Sequence, residues 1–342
     1  MKEKIKIICF IVTLLFIIPI FAGCGVNGNK DKTKLTKVSL NEVVRSVFYV
    51  PMYAAINQGF FKEEGIEIDL TTGQGADKTM QQVISGNANI GLCGPEQTIY
   101  LYNQGREDYP VIFAQLTKRD GSFLVGRNAE PNFKWESLKG KTIIGGRPGG
   151  VPEMTLEYVL RNHGLIPNKD VKIITNLAFT ATAIAFKAGT GDYVALFEPT
   201  ATMLENAKAG YIVSSVGKTA GEIPYTSFFA TKSYIEKNPD IIQKFTNAIY
   251  KGVLWVEKND SKKVAASTIS FFPGMKVDTL SKVVDRYAGQ DTWQKDLVLK
   301  EEALASLENI IQTYKASLIP TRPPFSKIVT TKYVDITLKN IK

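Results

Sequence analysis

Two stretches of this chain carry the same succession of residue types, and that echo restricts the fold more than any other feature. Val83-Ile84-Ser85-Gly86-Asn87-Ala88-Asn89-Ile90-Gly91-Leu92-Cys93-Gly94-Pro95-Glu96 aligns without a gap on Phe186-Lys187-Ala188-Gly189-Thr190-Gly191-Asp192-Tyr193-Val194-Ala195-Leu196-Phe197-Glu198-Pro199. Each reads as a helix end, a glycine stop, a short polar link, a buried strand, and a loop with proline and glutamate. Single βα units resemble one another in many proteins. Two that end in mirrored Pro-Glu and Glu-Pro imply two lobes of one architecture facing each other.

The rest of the pattern agrees. Candidate strands at 37–44, 66–71, 90–93, 111–116, 141–145, 171–175 and 193–197 alternate with helical segments at 51–58, 77–85, 96–103, 152–163 and 180–188. Such alternation marks an α/β protein with mainly parallel sheets. Pro51 suits a first helical turn, and Gly59, Gly86, Gly164 and Gly189 suit helix ends. Beyond Ser233 the chain turns helical. Asn238-Pro239 opens a helix with Ile241, Ile242, Phe245, Ile249, Val253 and Leu254 on one face, and amphipathic segments follow at 264–272, 276–287 and 301–317.

The N-terminus carries a different signal. Lys2, Lys4 and Lys6 precede an apolar run over 7–22 that closes on Phe21-Ala22-Gly23-Cys24. The run is short for a spanning helix, and a positive start with a small-residue exit fits an export signal. The exit resembles the bacterial lipobox, which implies a signal peptide over 1–23, a diacylglyceryl thioether on Cys24 and a polar tether over 24–36. Phe21 stands where leucine is usual, so a plain secretory signal or an uncleaved anchor is the alternative. Of the three cysteines, Cys9 lies in the signal and Cys24 at the lipid site, which leaves Cys93 alone and allows no intramolecular disulfide. Cys93 sits in an apolar run and reads as a structural thiol. The formal charge is +9; Lys2, Glu3, Lys4 and Lys6 hold +2 of it, and the remaining +7 is dispersed without a basic block. That distribution fits a solvated surface and excludes nucleic acid as a partner.

A family resemblance rests on five stretches. Val47-Phe48-Tyr49-Val50-Pro51-Met52-Tyr53-Ala54-Ala55 with Gly59-Phe60-Phe61-Lys62-Glu63-Glu64-Gly65-Ile66 is similar to the opening of solute-binding proteins of the nitrate/sulfonate/taurine and thiamine-pyrimidine ABC importer group. Ser85 to Gly91, Leu138 to Ile143, Phe197-Glu198-Pro199 and the helix from Asn238-Pro239 through Trp255 resemble later signatures of that group, in order. The resemblance implies a type II periplasmic-binding-protein fold: two α/β lobes with mainly parallel sheets, joined by hinge crossings near 122–125 and 226–230. Lobe one then spans 37–123 and 227–342, and lobe two 124–226. It also implies a monomeric, non-catalytic receptor, lipid-anchored on the extracytoplasmic face of the cell membrane. Its partners are a small solute, an ABC permease and the ATPase subunit; no cofactor or metal is implied. A pyrimidine-synthesising enzyme of the same group is the rival class, against which stand export, one distal histidine and the absence of that branch's Cys-rich stretch. An adhesion or sensory lipoprotein on this scaffold is a third.

Ligands of open α/β sheets meet the loops after the strands' carboxyl ends. That rule selects 45–49, 73–76, 94–97, 117–122, 147–151, 176–180, 197–200 and 223–227 as site segments. Within them we expect Arg45, Tyr49, Gln74, Glu96, Arg119, Ser122, Gly149, Phe179, Glu198 and Tyr225 to touch ligand, with Tyr53 just inside the first helix. The aromatic residues offer walls for a flat ligand, against the alternative of ordinary core. Glu96 and Glu198, at mirrored positions, repel a sulfonate or nitrate and attract a cation or amine donor. They favour a nitrogen-rich solute of thiamine or thiamine-pyrimidine type over sulfonate, taurine or nitrate; Arg45, Arg119 and Arg147 are the opposing cations, and a carboxylate stabilising a helix N-terminus is the alternative for either acid. The glycine-rich 73–76 and 145–150 lack Gly-Lys-Ser/Thr and so are no Walker loops. His163, the only histidine, ends a helix away from the site, which leaves no material for zinc or a histidine-based triad.

If Cys24 is the acylation site, Cys24→Ser protein leaves the membrane fraction or stays as unprocessed precursor. Mature protein without lipid mass on residue 24 contradicts this.

Overall fold

The computed structural model describes residues Leu35–Lys342. The expected signal peptide over 1–23, the expected lipid site at Cys24 and residues 25–34 of the expected tether lie outside them. The strands in chain order are β1 (Thr36–Glu42), β2 (Ile66–Thr72), β3 (Ile90–Cys93), β4 (Pro110–Thr117), β5 (Ser122–Gly126), β6 (Thr142–Ile144), β7 (Lys172–Ile174), β8 (Tyr193–Phe197), β9 (Tyr211–Ser215) and β10 (Thr226–Thr231). They form two five-stranded sheets, β2-β1-β3-β10-β4 and β7-β6-β8-β5-β9. In each sheet four strands run one way and one is reversed: β10 pairs antiparallel with β3 and β4, and β5 antiparallel with β8 and β9. The echo in the sequence has a structural counterpart, because β3 and β8 are the middle strands of their sheets and each adjoins the reversed one.

The helices that position the site are α1 (Val50–Asn57), α2 (Ala76–Ile84), α3 (Glu96–Asn103), α4 (Val151–Asn162), α5 (Phe179–Lys187), α6 (Thr200–Asn206), α7 (Pro239–Lys258), α8 (Val277–Gly289) and α9 (Glu301–Lys315). Their starts and stops follow local chemistry. Pro51, Pro152 and Pro239 occupy first-turn positions, and Gly59, Gly86, Gly164 and Gly189 take positive φ just after helices. Helix α7 buries Ile242, Phe245, Ala248, Ile249 and Val253 on one face against α1. Phe245 meets Phe61, Phe113 and Phe228 there at ring distances of 5.1, 5.8 and 5.1 Å. The other sheet has a further core of its own, built on Leu124, Trp135, Leu138, Ile143, Leu156, Val159 and Leu160.

Three strands differ from the sequence reading. Residues 122–125 and 226–230, expected as hinge crossings, are full strands, β5 and β10. Each leaves one sheet's loops and is inserted into the other sheet, a pairing between residues as distant as Thr226 and Thr117. Strand β9 was not expected. It is an edge strand whose five residues are all half-buried, so it lacks the apolar run that revealed the others. The last part of the chain then covers the free edge of β4, where Gln115 N–H donates to Leu297 O at 2.8 Å and Thr330 N–H to Ile112 O at 2.9 Å. That cover removes an exposed edge from a strand buried along its whole length.

The seam between α1 and α7 closes on Gly252. A Cβ built there falls 2.3 Å from Pro51 O and 2.8 Å from Ala55 Cβ. Glycine inside a helix costs about 1 kcal/mol relative to alanine, and only backbone contact explains it here. Gly252→Ala therefore destabilises the fold by about 1–3 kcal/mol despite its better helix propensity. A denaturant midpoint equal to or above wild type contradicts this packing.

Candidate functional site

The carboxyl ends of both sheets face a common cavity. Its walls are Val43, Val44, Ser46, Phe48 and Tyr49 after β1, Ala76 at the start of α2, Gly94 and Glu96 after β3, and Tyr225 and Thr226 entering β10. The other lobe contributes Arg147, Gly150, Val151 and Pro152 after β6, Phe179 at the start of α5, and Phe197 at the end of β8. The cavity encloses about 590 Å³ of empty space, its mouth included. A second cavity adjoins it, lined by Arg45, Gln74, Phe179, Thr180, Glu198 and Thr200 among others; Val44, Ser46, Phe179 and Phe197 border both.

Phe48 is the aromatic hub. Its ring centre lies 5.5 Å from that of Tyr225, edge to face, and 5.8 Å from that of Phe197 on the opposite lobe; Phe197 lies 6.1 Å from Phe179. Three polar contacts also cross the cleft: Ser46 Oγ donates to Glu198 O at 2.8 Å, Tyr100 Oη to Gly149 O at 2.9 Å, and Arg147 Nε faces Asp77 Oδ1 at 3.4 Å. The lobes are thus closed on each other around an apolar chamber.

The expected site residues divide into three groups. Tyr49, Glu96, Phe179 and Tyr225 come together on the main cavity. Arg45, Gln74 and Glu198 line the adjoining one, again with Phe179. Tyr53, Arg119, Ser122 and Gly149 line neither. Tyr53 is fully buried and donates through Oη to Glu42 Oε2 at 2.6 Å. Arg119 turns toward Glu222 at 3.4 Å, Ser122 donates to Asp120, and Gly149 contributes its carbonyl to Tyr100. Arg45 is held by Glu42 at 2.9 Å and lies over the rings of Tyr53 and Phe271. His163 pairs with Glu136 at 2.8 Å beside Trp135, at the far end of α4, and Cys93 is buried with its thiol pushed well up by desolvation.

The two mirrored glutamates have opposite surroundings. Glu198 accepts from Thr202 N–H at 2.9 Å and Thr202 Oγ1 at 2.8 Å, and ion-pairs with Arg286 of α8. Its carboxylate serves the start of α6 and the contact with α8. Glu96 has no cation at hydrogen-bond distance. Its Oε1 accepts from Gln97 Nε2 at 3.1 Å, and Oε2 is buried without a partner. Arg147, also on this cavity, has its Nη2 buried without a partner, whereas the Tyr225 hydroxyl lies beside the Asp120 carboxyl. Phe48 and Phe197 stand in the expected segments without having been singled out, Val43 and Val44 lie outside those segments, and Arg147 was expected only as a cation opposing the glutamates.

The carboxyls of Glu42, Glu96, Asp120 and Glu153 are buried and raised, and of these Glu96 lines the cavity. Burial raises Glu96 from its ordinary 4.5 to about 7, against the hydrogen bond from the Gln97 side chain, the field of Arg147 and the nearby backbone N–H groups of Glu96 and Gln97. Burial likewise raises Glu42 to about 7, Asp120 to about 6 and Glu153 to about 8. These groups are protonated when folded at pH values where the unfolded chain has released the proton.

A family model described as the NMT1-like family matches residues 32–270. The putative binding protein YtlA of Bacillus subtilis (strain 168) is 42% identical over 315 residues, 92% of this chain and 92% of that one. The nitrate/nitrite binding protein NrtA of Nostoc sp. (strain PCC 7120) is 23% identical over 253 residues, 69% of this chain and 57% of that one. Among solved structures, the alkanesulfonate-binding protein SsuA from Xanthomonas axonopodis pv. citri bound to MOPS matches with a TM-score of 0.69 at 16% identity, over 86% of this chain and 98% of that one. The two-lobed architecture is the periplasmic-binding-protein fold.

Raised carboxyl pKa values fix a sign for pH dependence. The stability these groups contribute is full below the ordinary carboxyl value and is lost as pH rises through about 6 to 8. Each unit of raised pKa corresponds to about 1.4 kcal/mol. The denaturant midpoint of unliganded protein should therefore fall between pH 5.5 and 8; a midpoint that rises over this interval contradicts the protonated carboxyls.

Proposed function

The chain belongs to the NMT1-like family, and from that premise we propose that it is the solute-capturing subunit of an ABC importer. A small molecule closed between the two lobes is delivered to a permease driven by its ATPase subunit. The observation that carries this reading is the cavity itself: aromatic walls from both lobes around a carboxyl with one buried, unpartnered oxygen. Binding pockets of this kind combine apolar area with a few placed polar groups, and an orphaned acceptor is a cost that a ligand donor relieves.

The solute is a nitrogen-rich molecule, with a thiamine or thiamine-pyrimidine type favoured. Glu96 alone supports this preference, because Glu198 is engaged by Thr202 and Arg286. An oxyanion such as nitrate or a sulfonate leaves the ionised Glu96 carboxylate unpaired and is the alternative ligand. Turnover has weaker support: Cys93 is buried, His163 lies at the far end of α4, and among the described residues no cluster of His, Cys, Asp and Glu could hold a metal ion. Attachment at the extracytoplasmic membrane face follows from the proposed lipid on Cys24; no helix among the described residues is long and apolar enough to cross a membrane.

The test is Glu96→Gln, which keeps the shape and removes the charge. In a thermal-shift screen a heterocyclic amine raises the wild-type melting temperature more than taurine or nitrate does. Titration of the variant with the best amine then shows affinity weakened by about 1.5–3 kcal/mol, roughly tenfold to a hundredfold or slightly more. Unliganded stability at pH 8 is equal to wild type or higher, since a buried ionisable group is gone. Unchanged affinity removes Glu96 from the site, and a melting shift with oxyanions alone reverses the choice of solute.

A further inference from the structure

Arg147 has two halves with different duties. It stands in the loop after β6, and its Nε faces Asp77 Oδ1 of α2 at 3.4 Å, across the cleft from one lobe to the other. Both side chains are about two-fifths exposed, 39% and 43%, so this pair by itself contributes little to stability. The other end of the guanidinium is different. Nη1 donates to Pro148 O at 3.3 Å, while Nη2 is buried on the cavity wall without a partner. Glu96, on the facing lobe, lines the same cavity, with its Oε2 unpartnered and packed against the cavity-lining Gly94.

We propose that Arg147 couples occupancy of the cavity to closure of the lobes: Nη2 takes an acceptor atom of the ligand while Nε holds Asp77 across the cleft. The ligand is then one that offers a donor to Glu96 and an acceptor to Arg147. This rests on the solute-receptor reading and narrows it. A pure anion meets Arg147 and leaves the Glu96 oxygen orphaned; a pure cation meets Glu96 and leaves Nη2 orphaned. A molecule with donor and acceptor together satisfies both, and the low exposure of the chamber makes each unmade hydrogen bond costly. Apolar walls at Phe48, Phe179 and Phe197 limit the ligand to a flat or slender shape. Because one guanidinium touches both ligand and opposite lobe, binding fixes the geometry of the Asp77 contact, and closure presents Nη2 to the ligand. Arg147 thus determines specificity and reports occupancy to the opposite lobe.

The experiment uses calorimetric titration of purified wild-type, Arg147→Met and Asp77→Asn proteins with three probes. Cytosine carries an amino donor beside a ring acceptor, benzylamine carries donors only, and ethanesulfonate carries acceptors only. Cytosine is expected to bind wild type about tenfold tighter than either of the others, or more. Arg147→Met weakens cytosine about tenfold or more while benzylamine changes less than about twofold. Asp77→Asn, whose side chain is not in the cavity wall, weakens cytosine by a smaller factor through closure. Unliganded melting curves of both variants stay near wild type, which separates a binding effect from a folding one. The proposal is overturned if Arg147→Met leaves cytosine affinity unchanged, if cytosine and benzylamine lose equally, or if cytosine binds no tighter than the single-function probes or not at all. Tight binding of ethanesulfonate alone overturns it and leaves a solute receptor standing. The receptor reading itself fails only if no member of a broad solute panel shifts the melting temperature.

Discussion

Neither sheet is complete until the chain has crossed to the other. Strand β5 sits between β8 and β9, yet it follows directly on β4 of the first sheet; β10 sits between β3 and β4, yet it is reached from the second. These two reversed strands are the constraint on which the rest depends. They bind each lobe's hydrogen-bond ladder to the other lobe's sequence, and they bring the carboxyl ends of both sheets to one cleft. The loops after β1, β3, β6 and β8 can meet nowhere else. From that follows the closed chamber, its aromatic bridge through Phe48 and Phe197, and the desolvation of Glu96 within it.

Desolvation does the selecting. A carboxyl in contact with water would accept almost any cation and tolerate vacancy, whereas Glu96 has one oxygen on Gln97 and one with no partner. The cost of that orphan is about 1–3 kcal/mol in general, enough to distinguish ligands that carry a donor from those that do not. Arg147 imposes the complementary demand from the other lobe. Glu42, Asp120 and Glu153, which do not line the cavity, are also buried and raised, so the fold gives up some stability at alkaline pH to hold these polar groups in dry surroundings. That is a common arrangement where function and stability compete.

Much of this was legible in the sequence. The paired segments around Gly86 and Gly189 announced two like lobes, and β3 and β8 proved to be equivalent middle strands. The buried runs over β4 and β8 and the amphipathic face of α7 were visible because burial writes itself into local composition. Strand β9 was not, since a half-buried edge strand has no apolar run to show. The reversed strands were seen as crossings but not as ladder members, because pairing such as Thr226 with Thr117 is a long-range property. The site shows the same limit. Glu96 and Glu198 stand in mirrored sequence contexts, and their roles are separated by Thr202, where Glu96 has Tyr100 at the equivalent place, and by Arg286, 88 positions downstream of Glu198 on α8. Tyr53 and Tyr49 are four residues apart in one motif, and the turn before α1 sends one onto Glu42 and the other to the cavity. Arg147 is an ordinary cation in a glycine-rich loop until the cleft closes around it.

The claim that Glu96 meets the solute as a carboxylate, in a cavity that otherwise holds it near half protonated at neutral pH, has a direct measure. Calorimetric titration with cytosine at pH 7 in buffers of different ionisation enthalpy counts the protons exchanged on binding. A ligand that donates to Glu96 draws the carboxyl toward its ionised form, so wild type should release roughly half a proton per ligand and Glu96→Gln none. Equal proton counts in the two proteins, or proton uptake by wild type, would contradict the account.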